Sequence, residues 1–128
     1  MAKILQDFWI LESESGIVLF HRVIDNELDV QIFGGLMSAL NSFAEILANG
    51  GISSFELSKK RCAILKSKNI LFIGVASKKT RERKIIGELN KISNKFFGIY
   101  GDIIDTWHGD ITAFSNFKIE IQDSFKEI

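Results

Sequence analysis

The stretch Arg61 to Ser77, R-C-A-I-L-K-S-K-N-I-L-F-I-G-V-A-S, limits the possible folds more than any other part of the chain. Its second arm, Ile70 to Ala76, is apolar at every position except Gly74. A run this short and continuous fits a strand covered on both faces: a half-exposed strand would alternate, and an ordinary helix would be longer. Ser67-Lys68-Asn69 supplies a turn, and Arg61 to Lys66 a partner strand. The expectation is a hairpin whose second arm runs through the middle of a sheet, with helices above and below.

The remaining segments build around that hairpin. Ile4 to Glu12 and Ile17 to Val23 read as strands joined by the polar turn Glu12-Ser13-Glu14-Ser15-Gly16. Asp29 to Ala48 reads as a helix stopped by Asn49-Gly50-Gly51. Its residues Phe33, Leu36, Met37, Leu40, Ala44 and Leu47 span about 100° of arc, an ordinary core stripe. Phe43 stands at one margin of that stripe. Ile32, Ala39 and Ile46 lie beyond the margin at every seventh position, with Gly35 beside them. They widen the weakly polar arc to roughly 220°, more than one sheet face needs. Gln31, Ser38, Asn41, Ser42 and Glu45 are left to keep the other face wet. Either another segment of the chain or a second molecule must cover the extra stripe.

Ile52 to Ser58 alternates as a further strand, and Lys59-Lys60 leads into Arg61. A second helix starts near Thr80, its expected N-cap, and runs to about Tyr100. It buries Ile85, Ile86, Leu89, Ile92, Phe96 and Phe97, and Gly98 and Gly101 mark its end, with Asp102 to Asp105 open as one more turn. A last helix after Asp110 or Thr112 presents Phe114, Phe117, Ile121 and Phe125. The order is β-β-α-β-β-β-α-α. Hairpins make the strands antiparallel, and three helices must cover two sheet faces. The expected fold is a three-layer α/β/α sandwich on a five-stranded antiparallel sheet, an α+β arrangement in one domain over residues 1–128.

Composition narrows the function class. With 46% hydrophobic and 25% charged residues, the chain has the balance of a soluble globular protein. No apolar run approaches the roughly 20 residues of a membrane span. Met1-Ala2-Lys3 leads straight into a strand-like segment, so neither a signal peptide nor a myristoylation site is expected. The lone Cys62 suits a reducing cytoplasm. No nucleotide-binding glycine loop and no nucleophile elbow is present, so no catalytic residue and no cofactor is expected. Gly34-Gly35 and Gly50-Gly51 read as helix packing and helix termination. His108 with Asp105 and Asp110 makes at most a weak metal site, and a loop histidine beside a helix cap explains it better; His21 stands apart. In Trp107-His108-Gly109-Asp110, Trp107 reads as a plug between helices, and its alternative is an exposed aromatic for a partner.

Charge is balanced overall but unevenly spread. Residues 1–58 carry Lys3 and Arg22 against eight acids, whereas residues 59–84 carry ten Lys and Arg against Glu82 alone. Topology brings Lys59, Lys60 and Arg61 to the same end of the sheet as Lys78, Lys79, Arg81, Arg83 and Lys84. The two groups form a candidate anionic contact, with a solvated edge as the plain alternative. Nucleic acid is a poor fit, because the cluster has no exposed aromatics for base stacking and the whole protein is not basic.

The element order, R-C-A-I-L-K-S-K-N-I-L-F-I-G-V-A, the helix end K-F-F-G-I-Y-G-D-I-I-D and the closing F-S-N-F-K-I-E-I-Q-D-S-F together resemble the longin domain of the roadblock/longin (profilin-like) group. The likeness runs from Ile4 to Phe125 and is similar in detail to adaptor-complex small subunits. Neither coiled-coil heptads nor a helical tail is expected after the domain, and the Ile- and Lys-rich composition leans toward a stand-alone longin protein of archaeal type. The resemblance implies a non-enzymatic adaptor that pairs with another longin or roadblock domain or with itself, binds a small GTPase, or joins a trafficking complex. The expected partner interface is Ile32, Gly35, Ala39, Phe43 and Ile46 on the first helix, or a sheet edge. The alternative is a peripheral membrane protein using the basic segment on anionic lipid; a small-ligand binder is a remote third. The expected location is the cytoplasm, or the membrane surface facing it.

Overall fold

A computed structural model of the protein describes residues 4–23, 30–47, 54–56, 58–105 and 111–121. Five strands, β1 (Asp7–Glu12), β2 (Val18–Arg22), β3 (Ser54–Glu56), β4 (Lys60–Ser67) and β5 (Ile70–Ser77), form one antiparallel sheet in the order β2-β1-β5-β4-β3. The continuous apolar run is the central strand, and every residue from Ile70 to Ala76 is buried. Lys68 and Asn69 both take left-handed backbone (φ 51° and 67°), the conformation a two-residue hairpin turn needs, so Ser67 pairs with Ile70. At the β1–β2 pair the register slips: Ile10 faces Phe20 while Leu11 faces Val18, leaving Leu19 as a bulge.

Alternation along β5 assigns its side chains to two cores. Ile70, Phe72 and Ala76 join Phe8, Ile10 and Ala63 on the face covered by α2 (Glu82–Asp105). Gly74 is on that face too, where an added Cβ would lie 2.9 Å from Leu5 Cδ2 and 3.0 Å from Leu89 Cδ2. Its lack of a side chain lets α2 lie close over the strand. Phe96 meets Phe72 and Phe117 edge-on, at 5.7 and 5.5 Å between ring centroids. The opposite face carries Trp9, Leu11, Cys62, Ile64, Leu71, Ile73 and Val75 under α1 (Val30–Leu47). Helices therefore lie on both faces of the sheet, as the order of elements predicts.

Several boundaries differ from expectation. α2 begins at Glu82, where Arg81 rather than Thr80 supplies the carbonyl that accepts from Lys84 N and Ile85 N. It continues through Gly98 and Gly101 to Asp105, because buried Tyr100 and half-buried Ile104 still pack into the core. The closing helix is broken into a 3-10 turn (Ile111–Phe114) and α3 (Phe117–Glu120), with Phe114, Phe117 and Ile121 buried. Phe125 and the Asn49-Gly50-Gly51 stop lie outside the described residues.

The largest departure is the orientation of α1. Its fully buried residues are Gly34, Met37, Ser38 and Asn41, so the helix is turned by roughly 100° from the expected core stripe. Leu36 and Leu47, expected inside, are exposed; Ser38 and Asn41, expected wet, are inside. Polar bonds explain the turn. Ser38 Oγ donates to Ser13 O, and the Gln31 side chain bonds Val18 twice, accepting from its N at 3.0 Å and donating to its O at 3.3 Å. Gly34 sits directly against Gly16 and Val18, and Trp9 stacks on Phe33 at 4.1 Å. By length and composition alone α1 is apolar enough to cross a bilayer.

Candidate interaction surfaces

Docking α1 by its polar and small side leaves its apolar side outward. Ile32 is 71% exposed, Leu36 61%, Phe43 59%, Ile46 83% and Leu47 70%, and Ala39 and Gly35 are exposed beside them. Ile32, Leu36, Ala39, Phe43 and Ile46 recur in alternating steps of four and three and occupy about 80° of the helix circumference. Scattered apolar residues on a surface need no explanation, but a continuous stripe of this kind does. All five residues expected from the sequence as a partner interface lie on this outer side. Leu36 and Leu47 belong to it as well. Their signal was already present in the sequence, since Leu36 fills the gap in the four-and-three spacing between Ile32 and Ala39. At its far end α1 is tied to β4 by Glu45, which meets Lys66 Nζ at 2.8 Å; that bond holds the Glu45 carboxyl below its ordinary pKa.

The second surface lies at one end of the sheet. Lys78 N donates to Lys59 O at 3.1 Å, and Arg61 Nη1 donates to Thr80 O at 3.0 Å, so the β3–β4 and β5–α2 connections are joined. The two basic groups therefore merge into one patch. Three of its members are partly neutralised: Arg61 and Lys78 share Glu56, and Lys60 lies 3.8 Å from Asp7. Hydrogen bonding to Arg61, then its charge, holds Glu56 below its ordinary pKa, with Lys78 adding to the effect. Lys59, Lys79, Arg81, Arg83 and Lys84 have no ion-pair partner among the described residues. Ser58, Lys59, Ser77, Lys78 and Lys79 line a hollow of about 540 Å³ there.

The other candidates contribute less. Trp107, His108 and Asp110 lie outside the described residues. His21 is exposed on β2, its pKa lowered by partial burial. Burial pushes the Cys62 thiol up to about 12, which makes it a packed side chain rather than a nucleophile. Among the described residues no three His, Cys, Asp or Glu side chains gather as metal ligands.

No protein-family model matches the sequence, and no curated protein matches it. Solved structures do. MglB of Myxococcus xanthus superimposes with a TM-score of 0.56 at 12% identity, over 73% of this chain and 77% of that one. A Roadblock/LC7 domain from Streptomyces avermitilis superimposes with a TM-score of 0.54 at 13% identity, over 73% of this chain and 87% of that domain. At such identities the likeness is one of backbone architecture. Strand order, two helix-covered faces and these superpositions agree that the chain has the roadblock/longin fold.

Proposed function

We propose that this protein is a non-enzymatic interaction module that assembles through the outer side of α1, in the simplest case with a second copy of itself. The observation that carries this reading is the exposed stripe Ile32, Leu36, Ala39, Phe43 and Ile46. Alternating steps of four and three make the seam along which two helices pack side by side. Small Ala39 and Gly35 within that seam permit close approach of a partner backbone. A stripe that is apolar along its whole length is also self-complementary, which a twofold pair requires. β3 adds an edge strand that pairs with β4 alone among the described residues. Another roadblock or longin domain presenting a similar helix is the alternative occupant.

The resemblance of the sequence to longin domains adds a second class of partner, a small GTPase bound by the assembled module. Its test is capture from native lysate on the purified protein, run with GDP and with a non-hydrolysable GTP analogue in the lysate. A small GTPase retained in one nucleotide state supports the reading. Capture that is indifferent to nucleotide leaves a purely structural subunit.

A further inference from the structure

The basic end of this molecule lies apart from its large exposed apolar residues. The large exposed apolar residues lie on α1, at Ile17, toward the end of α2 (Ile99, Ile103) and at Ile111 and Ile119. Lys59, Lys79, Arg81, Arg83 and Lys84, which have no ion-pair partner among the described residues, lie together where the β3–β4 connection meets the start of α2, at the other end of that helix. We infer that this basic end is a docking surface for an anionic lipid bilayer, one that works independently of assembly through α1.

Three observations favour a bilayer over another polyanion. First, the cations come from two segments, the β3–β4 connection and the β5–α2 connection running into the first turn of α2, which meet at one end of the sheet rather than along a groove. A polynucleotide backbone is followed by a groove with stacking aromatics. Second, protein interfaces concentrate their energy in buried apolar or aromatic anchors, and among the described residues the exposed neighbours of these cations are Ser58, Glu56 and further Lys and Arg, with no large apolar side chain. A charged plane needs no anchor, because each Lys or Arg near it contributes by itself. Third, two of the acids at the patch, Glu56 and Asp7, are already engaged by Arg61, Lys78 and Lys60, so they repel an anionic plane less than free carboxylates would, and a third acid, half-buried Glu82, is flanked by Arg81 and Arg83. The hollow beside Lys59, Lys78 and Lys79 is shallow, so lipid charge rather than headgroup shape should govern binding.

The test is co-sedimentation with vesicles of phosphatidylcholine alone, or mixed with phosphatidylserine or phosphatidylglycerol at equal charge. Binding is expected only to the two anionic mixtures, with equal affinity, and falling with salt. Lys79→Gln with Lys84→Gln should weaken it by about thirtyfold, from a contribution near fivefold per residue. Lys68→Gln with Lys118→Gln removes the same net charge elsewhere, and binding should change less than threefold. Ile46→Glu should still bind, which separates this surface from α1. The inference is overturned by absent binding to anionic vesicles at low salt, by equal binding to phosphatidylcholine, or by equal losses in the two double variants. Retention by heparin or polyglutamate without vesicle binding would assign the patch to a soluble polyanion instead.

Discussion

Gly34 and Gly35 are neighbours in sequence with opposite surroundings. A Cβ on Gly34 would collide with the Gly16 carbonyl and the Val18 side chain, whereas a Cβ on Gly35 meets nothing within 4 Å. Backbone is on the other side of the first contact, so it cannot yield cheaply. Gly34→Ala should therefore destabilise the fold by about 1–3 kcal/mol, the cost of overpacking a close contact. Gly35→Ala should be neutral or stabilise it by up to about 1 kcal/mol, since alanine restricts the unfolded chain and suits a helix. Urea denaturation of the two variants against wild type reads both outcomes. Gly16 shares the constraint from the other side. Its φ of +76° and its contact with Gly34 make the β1–β2 turn a seat shaped for α1. Ser38, donating to Ser13 O, adds a buried hydrogen bond at the same seat.

Among the elements, α1 and α2 show where apolar periodicity informs and where it misleads. β5 and its hairpin were legible because a continuously apolar short run has few other uses, and the burial of Ile70 to Ala76 follows from it. The orientation of α1 was not. Reading a helix by its apolar side assumes that this side faces the chain's own core. Here the core side is held by Gln31, Ser38 and Gly34, through hydrogen bonds and close approach that carry no apolar signal. The excess width of the stripe carries the remaining signal, since Ile32, Phe43 and Ile46 are among the exposed residues. On α2, Gly98 and Gly101 have the look of a stop, yet packing of Tyr100 and Ile104 carries the helix past both. A Cβ on Gly98 has open space around it, so Gly98→Ala should raise stability by about 0.5–1 kcal/mol, seen as a higher denaturation midpoint. A loss would mean that something packs against the outer face of α2. At the basic end, topology alone brought the two lysine groups together. Their partial neutralisation was hidden, because Asp7 and Lys78 meet their partners from far along the chain and Glu56 reaches Arg61 only through the β3–β4 register.

At the scale of the whole molecule, one sheet separates two surfaces of different chemistry. α1 offers an apolar seam on one face, and the basic end lies where the β3–β4 and β5–α2 connections meet beyond the other. A module built this way can join a partner and face a charged surface at once, because neither contact occupies the other's residues. Assembly through α1 depends on the seam. Its direct test is sedimentation velocity of the purified protein over a concentration series, with Ile46→Glu alongside. Ile46 is 83% exposed, so the substitution should leave the monomer's fold and circular dichroism unchanged. Placed in a paired seam, an unpartnered carboxylate costs about 3 kcal/mol or more, over a hundredfold in Kd. Assembly through the seam predicts a dimer for wild type and a folded monomer for Ile46→Glu. A wild type that stays monomeric throughout, or a variant that dimerises equally well, would contradict it.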